Sequence, residues 1–183
     1  GRRALEKQYG LNLGEVDRLV FDSQPAESAT IGKKDEEAIW GAIANRFALS
    51  PEGLHSFKEA FWSGDRLDED LVNFLQSCRK DYTTAILSNA WKNARATLSR
   101  KYGIKEGETV DHILLSSELG VAKPDPKIYR ILAKTVQCAY HHILFVDDFI
   151  ENITAARALG IQTIHYQPGM NLITKIRDLL KLT

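Results

Sequence analysis

The stretch His142-Ile143-Leu144-Phe145-Val146-Asp147-Asp148 decides the fold. Four apolar residues in succession, bounded by turn and helix signals, predict a strand buried on both faces. The strand ends on two adjacent carboxylates, after which Ile150 to Leu159 follows a helical pattern closed by Gly160. Open α/β sheets bind ligands at the carboxyl ends of their strands, where this acid pair stands. A single Asp there could serve only as a helix cap. Two side by side repel, by up to about 4 kcal/mol at close range and intermediate dielectric, so the pair calls for a positive charge beside it.

The same strand–helix rhythm runs outward from this stretch. Beyond it come a strand over Ile161 to Tyr166 and a helix over Asn171 to Leu180. Before it, Asp125-Pro126 opens a helix with Ile128, Ile131, Leu132 and Val136 on one face. His112 to Leu115 reads as a strand, Trp91 to Tyr102 as a helix stopped by Gly103, Thr83 to Leu87 as a short buried strand, and Asp68 as the cap of a helix holding Leu71, Val72, Phe74 and Leu75. Strands separated by helices of this length imply right-handed crossovers and a parallel sheet covered on both faces. Residues 1–64 differ: Leu5 and Tyr9, then Val16, Leu19 and Val20, then Ile39, Ile43 and Phe47, all recur at helical spacing. A polar loop around Pro25 and Gly32 interrupts them, and Ser50-Pro51-Glu52 starts a helix carrying Leu54, Phe57, Phe61 and Trp62. The expected division is therefore a helical region, 1–64, and an α/β region, 65–183, with the boundary between Ser63 and Leu67.

Composition narrows the function classes. The 183 residues carry 24 Lys+Arg against 24 Asp+Glu, a formal net charge of zero. No basic block alternates with aromatics, which argues against a nucleic-acid partner. No apolar run approaches a membrane span and no signal-peptide pattern opens the chain. Two cysteines, Cys78 and Cys138, have no metal-type spacing and read as reduced core residues of a cytoplasmic protein. His141-His142 would begin the decisive strand with side chains pointing oppositely, so both read as structural. Trp91 is expected to pack its helix.

Three loops at strand ends carry the candidate chemistry. Leu87-Ser88-Asn89-Ala90 offers a hydroxyl and backbone N–H groups that open a helix. Gly120-Val121-Ala122-Lys123-Pro124-Asp125-Pro126 holds a lysine between a Gly turn and a rigid Pro pair, and Val146-Asp147-Asp148 adds the acids. Hydroxyl, helix amides and lysine together make an anion cradle suited to phosphate. Carboxylates beside that cradle would repel a phosphate unless a divalent cation bridges them.

In this order the loops resemble the haloacid dehalogenase-like (HAD) hydrolase superfamily, and the resemblance covers essentially the whole chain. Leu87-Ser88-Asn89 is similar to its second motif, whose hydroxyl binds the transferring phosphoryl group. Lys123 in Val-Ala-Lys-Pro-Asp-Pro-Lys-Ile-Tyr is similar to its third, a lysine that stabilises the nucleophile and developing charge. Phe145-Val146-Asp147-Asp148, with Asn152, Ala155, Ala156, Leu159 and Gly160, resembles its acidic metal-binding fourth. Residues 1–64 resemble the α-helical cap inserted after the first core strand in the subgroup that includes small sugar-phosphate phosphatases. Phe61-Trp62-Ser63-Gly64 is similar to the hinge returning from that cap. The resemblance implies a HAD-like Rossmannoid α/β core with a parallel sheet and a helical cap. The implied activity is a Mg²⁺-dependent phosphatase of a small phosphorylated metabolite, acting through an aspartyl-phosphate. Its phosphate would be held by Ser88, Asn89 and Lys123 and its metal by Asp148 and Asp147. Catalytic roles fall to Ser88 and Lys123, while Tyr9, Phe61 and Trp62 would close the cap over the substrate.

One departure is large. The family's first motif, an Asp-x-Asp pair on the first strand, supplies nucleophile and general acid/base. Leu19-Val20-Phe21-Asp22-Ser23-Gln24 has Gln24 where the second Asp belongs, so Asp22 reads as a residue of the helical region. The expectation is that the first motif lies upstream of Gly1. In this fold the first strand is central, and removing it strands buried backbone groups at about 1–3 kcal/mol each, against a total stability of roughly 5–15 kcal/mol. Two other readings stay open: a metal-independent 2-haloacid dehalogenase, and a truncated, non-catalytic HAD-like binding module. A response-regulator receiver domain shares strand-end acids and a lysine but lacks the helical region. Substrate and oligomeric state are not legible.

Overall fold

A computed structural model describes residues 1–181. The first part is helical throughout: α1 (Arg2–Tyr9), α2 (Glu15–Phe21), α3 (Gln24–Thr30), α4 (Glu37–Phe47) and α5 (Pro51–Trp62). Ser50 caps α5 as its sequence predicts, its hydroxyl accepting the Gly53 N–H at 3.1 Å. The stretch at Pro25 expected as loop is instead α3. Ser23 Oγ accepts the Ala26 N–H at 3.3 Å, Pro25 sits in the first turn where its missing N–H costs nothing, and Ala26 and Ala29 turn inward. Leu5, Val16, Val20, Ile39, Ile43 and Phe57 form the core of these helices, each fully buried side chain contributing roughly 1.5–3 kcal/mol. The chain begins and leaves this part at one place. The Arg2 guanidinium meets Asp17 and Asp65, each at 3.1 Å, and Gly1 lies so close to the Ala60 carbonyl that a Cβ there would collide.

The second part alternates α6 (Glu69–Cys78), β1 (Ala85–Ser88), α7 (Ala94–Tyr102), β2 (His112–Leu115), α8 (Ser116–Leu119), α9 (Pro126–Thr135), β3 (Leu144–Asp147), α10 (Ile150–Ala158), β4 (Gln162–His165) and α11 (Leu172–Leu180). Asp68 caps α6 through the Leu71 N–H at 2.9 Å. All pairing is parallel, as expected, but the sheet is in two pieces: β1 beside β2, with Ser88 opposite Leu115, and β3 beside β4, with Asp147 opposite His165. Among the described residues neither β1 nor β3 has a second neighbour. The two pieces share covering layers. Leu87 packs in the cluster of Tyr129, Phe145, Ile153 and Ile161 on one side. On the other, α6 turns Phe74 toward Ile164 and Ile176 and Val72 toward Ile113 and Leu115.

This split accounts for two departures from the expected burial. β1 is not buried: Ala85 is exposed and Ile86, Leu87 and Ser88 are half-buried, since only one flank is covered. In β3, Phe145 and Asp147 are buried while Leu144 and Val146 are only half-buried. The strand also starts later than expected, because Tyr140–His142 form a 3₁₀ turn with the two His rings 4.0 Å apart. The helix after β1 starts at Ala94 rather than Trp91. No helix among the described residues is long and apolar enough to cross a membrane.

Candidate active site

Lys123 joins the two sheet pieces. Its Nζ donates to the Leu87 carbonyl at 2.9 Å, at the end of β1, and to Asp147 Oδ2 at 2.7 Å, at the end of β3. Both side chains of this ion pair are almost buried, 9% and 5% exposed, so its attraction is poorly screened by solvent. An ammonium carries three donors, and these contacts use two of them.

Asp147 is saturated. Its Oδ1 accepts the Phe149 N–H at 2.8 Å and Asn152 Nδ2 at 2.9 Å, while Lys123 holds Oδ2. Behind it, the buried Tyr129 hydroxyl donates to the Asn152 carbonyl at 2.9 Å. Burial, and then the nearby Asp147 charge, push the Tyr129 pKa up to about 12. Asp148 is the opposite case. It is exposed; among the described residues its carboxylate makes no hydrogen bond or ion pair, and its backbone carbonyl is engaged by His165 Nε2 at 3.0 Å. The repulsion expected of the acid pair is thus relieved on one side by Lys123 and on the other by solvent. Among the described residues no third His, Cys, Asp or Glu joins the two acids in a metal-binding group. A cavity of about 540 Å³ opens beside them, lined among others by Asp68, Leu71, Val146, Tyr166 and Met170.

The turn after β1 is held from two directions. The Asn89 amide pairs with the Lys123 backbone, Nδ2 donating to its carbonyl and Oδ1 accepting its N–H, both at 2.8 Å. The Asn89 side chain therefore braces the Lys123 backbone. Ser88 Oγ has only a long contact, 3.4 Å, to the Asn89 carbonyl, which leaves the hydroxyl available. Ala90 N–H donates to Ser116 Oγ at 2.9 Å.

Ser88, Lys123, Asp147 and Asp148 are thus gathered at the carboxyl ends of β1 and β3, whereas Phe61 and Tyr9 belong to the helical core. Phe61 is fully buried in the helical core, and Tyr9 packs on Phe47 and Phe57 at 4.6 and 5.7 Å. Trp62 reaches Trp91 at 6.2 Å, so Trp91 packs on the helical part rather than on its own helix. Asp22 ends α2, away from any strand. Sequence reasoning missed Ser116 and Tyr129. An Asn five residues past Asp147 was visible, but a serine opening the four-residue α8 and a tyrosine inside α9 carry no local signal.

Comparison with known proteins bears on this arrangement. A family model described as haloacid dehalogenase-like hydrolase matches residues 11–160. The drimenol cyclase drtB of Aspergillus calidoustus is 28% identical over 178 residues, 84% of this chain, and the chain spans only 33% of the cyclase's length. The phosphatase MT3486 of Mycobacterium tuberculosis is 32% identical over 179 residues, 80% of this chain and 79% of that protein. A HAD family enzyme from Bacteroides thetaiotaomicron, an Asp-to-Ala variant in complex with magnesium and inorganic phosphate, matches with a TM-score of 0.70. At 19% identity, over 90% of this chain and 84% of that one, this likeness concerns the fold alone.

Proposed function

Because the chain belongs to the haloacid dehalogenase-like hydrolases, we propose that it serves a Mg²⁺-dependent phosphatase activity on a small phosphorylated metabolite. The observation that carries this reading is the lysine bridge: Lys123 spans the ends of β1 and β3, with the Ser88 hydroxyl on one side and the unpaired Asp148 carboxylate on the other. The third Lys123 N–H, the Ser88 hydroxyl and the Asn89 backbone amide would receive phosphoryl oxygens, and charge developing on them would be neutralised without reorganisation. Phosphatase relatives such as MT3486 support the same chemistry.

The residues present fit a magnesium ion. This hard cation keeps several waters and binds through one or two carboxylates plus substrate phosphate, which matches one free acid, Asp148, beside a saturated one. Asp148 would hold the ion directly, and Asp147 would act through water and through its grip on Lys123. The bound ion supplies neutralisation of phosphate charge. The Mg²⁺ complex of the Bacteroides enzyme supports this choice of metal.

The attacking group would be a carboxylate of an Asp-x-Asp pair on a parallel strand between β1 and β3, outside these residues. Attack on phosphorus would form an aspartyl-phosphate as the ester P–O bond breaks and the alcohol leaves with a proton from the second Asp. Water, giving its proton to that same Asp, would then attack the phosphorus and release inorganic phosphate and the free carboxylate, so that one hard displacement becomes two easier ones. The open flanks of β1 and β3 support that position. Residues 1–64 would form the cap domain over a core of residues 65–183. What supports a phosphatase over a 2-haloacid dehalogenase is the adjacent pair Asp147-Asp148, two acids for which metal-independent chemistry has little use. What supports an enzyme over a binding module is the half-buried, unspent Ser88 hydroxyl at the same strand end.

The test is phosphate release from p-nitrophenyl phosphate by the full-length protein. Activity is expected to require Mg²⁺ and to fall about 100-fold or more in Lys123→Ala and in Asp148→Asn. Undiminished turnover in either variant would sink the assignment, and EDTA-resistant halide release from a 2-haloacid would replace it.

A further inference from the structure

Ser116, first residue of α8, is completely buried and makes hydrogen bonds to two other parts of the molecule. Its Oγ accepts the Ala90 N–H at 2.9 Å and donates to the Thr30 carbonyl at 2.6 Å, with the Ala90 carbonyl a more distant second acceptor at 3.3 Å. Ala90 follows Ser88-Asn89 in the turn that would cradle phosphate. Thr30 ends α3, so one hydroxyl ties the helical part to that turn.

The neighbouring contacts reinforce the tie. Gly32, at φ 73°, approaches the Ser117 carbonyl so closely that a Cβ would collide with backbone. Lys92 pairs with Asp35 at 2.7 Å, and Asn93 Nδ2 donates to Glu36 Oε1 at 3.2 Å. The loop between α3 and α4 therefore meets Lys92 and Asn93 on one side and α8 on the other. From Asn89 the connection continues to the Lys123 backbone. A displacement of the α3–α4 loop is passed to the turn through Ser116.

We propose that Ser116 is a positioning residue that couples the α3–α4 loop to the Ser88–Ala90 turn, so that the helical part sets the geometry of the phosphate cradle. The proposal rests on the phosphatase reading for its effect on turnover and not for the coupling itself. It goes beyond that reading by placing control of the cradle in the docking of the helices, through a residue that touches no substrate.

Three variants of the full-length protein test it from both sides, at a temperature where all are folded. Ser116→Ala removes the hydroxyl. Gly32→Ala pushes the loop from the helical side without touching Ser116. Gly14→Ala carries a similar left-handed backbone strain, φ 77°, in open space and is the control. Both test variants are expected to lower kcat/KM for p-nitrophenyl phosphate about 10-fold. The double variant should fall no further than either single one, since both break one connection, and Gly14→Ala should stay near wild type. Hydrogen exchange should show loss of protection across the junction: residues 30–34 in Ser116→Ala and residues 88–91 in Gly32→Ala. Additive losses of activity, or loosening confined to each variant's own side, overturn the proposal. The exchange result decides the coupling even if the wild type releases no phosphate, an outcome that would count against the phosphatase reading alone.

Discussion

At the scale of single residues, the adjacent acids are chemically alike and energetically unlike. Asp147 is buried and engaged at both oxygens, by Lys123, Phe149 and Asn152. Asp148 is exposed and unpaired. Removing one partner of a buried ion pair leaves the other charge uncompensated, so Asp147→Ala is expected to cost about 3–5 kcal/mol. Asp148→Asn should change stability by no more than about 0.5 kcal/mol. Urea titration of the two variants checks this, and equal losses would contradict the asymmetry. The residue types of the site were legible because strand-end acids, a stiffened lysine loop and a Ser-Asn turn each leave a local pattern. How the acids divide their work was not, because it depends on Lys123 arriving from 24 positions away. The same holds for the Asn89 side chain, which braces the Lys123 backbone 34 positions away.

At the scale of elements, β1 and β2 are registered by a polar clasp at their amino ends. Asp111 accepts the Thr84 N–H at 2.8 Å, the Thr84 hydroxyl at 3.0 Å and Arg79 Nε at 2.9 Å. The Thr84 backbone bond, and then the contacts from Arg79 and the Thr84 hydroxyl, hold the Asp111 carboxyl below its ordinary value. A carboxylate with a lowered pKa in the folded state contributes stability above its unfolded pKa of about 3.9, and loses it as pH falls through the folded value. Asp111→Ala is therefore expected to cost about 1–3 kcal/mol at neutral pH, with the deficit against wild type shrinking as pH drops below about 4. A deficit independent of pH, measured by urea unfolding, would assign the cost to packing instead. Elements with a strong period were legible: the helix from Pro126 presents Ile128 and Leu132 to the core and buries them. The helix over Gln24–Thr30 was not, since its short, proline-containing, alanine-rich sequence has little apolar period and is kept helical by its Ser23 cap and by packing of Ala26 and Ala29.

At the scale of the whole molecule, the parallel order of the sheet was legible, but its division was not visible strand by strand. Each strand reads as buried from its own apolar run, and only pairing reveals that β1 and β3 each lack a second neighbour among the described residues. Extending the chain ahead of Gly1 with an apolar strand ending in Asp-x-Asp is expected to add about 2 kcal/mol or more of stability and to slow amide exchange in β1 and β3. Unchanged exchange in both would remove the proposed location of the nucleophile. A different consequence follows from the meeting of Arg2 with Asp65 and of Gly1 with Ala60. A segment whose two ends stand side by side is a closed excursion from the path of the chain, anchored at one point. The helical part has its own core, so its interior can be repacked while the strand ends stay as they are, provided the Thr30–Ser116 contact is kept.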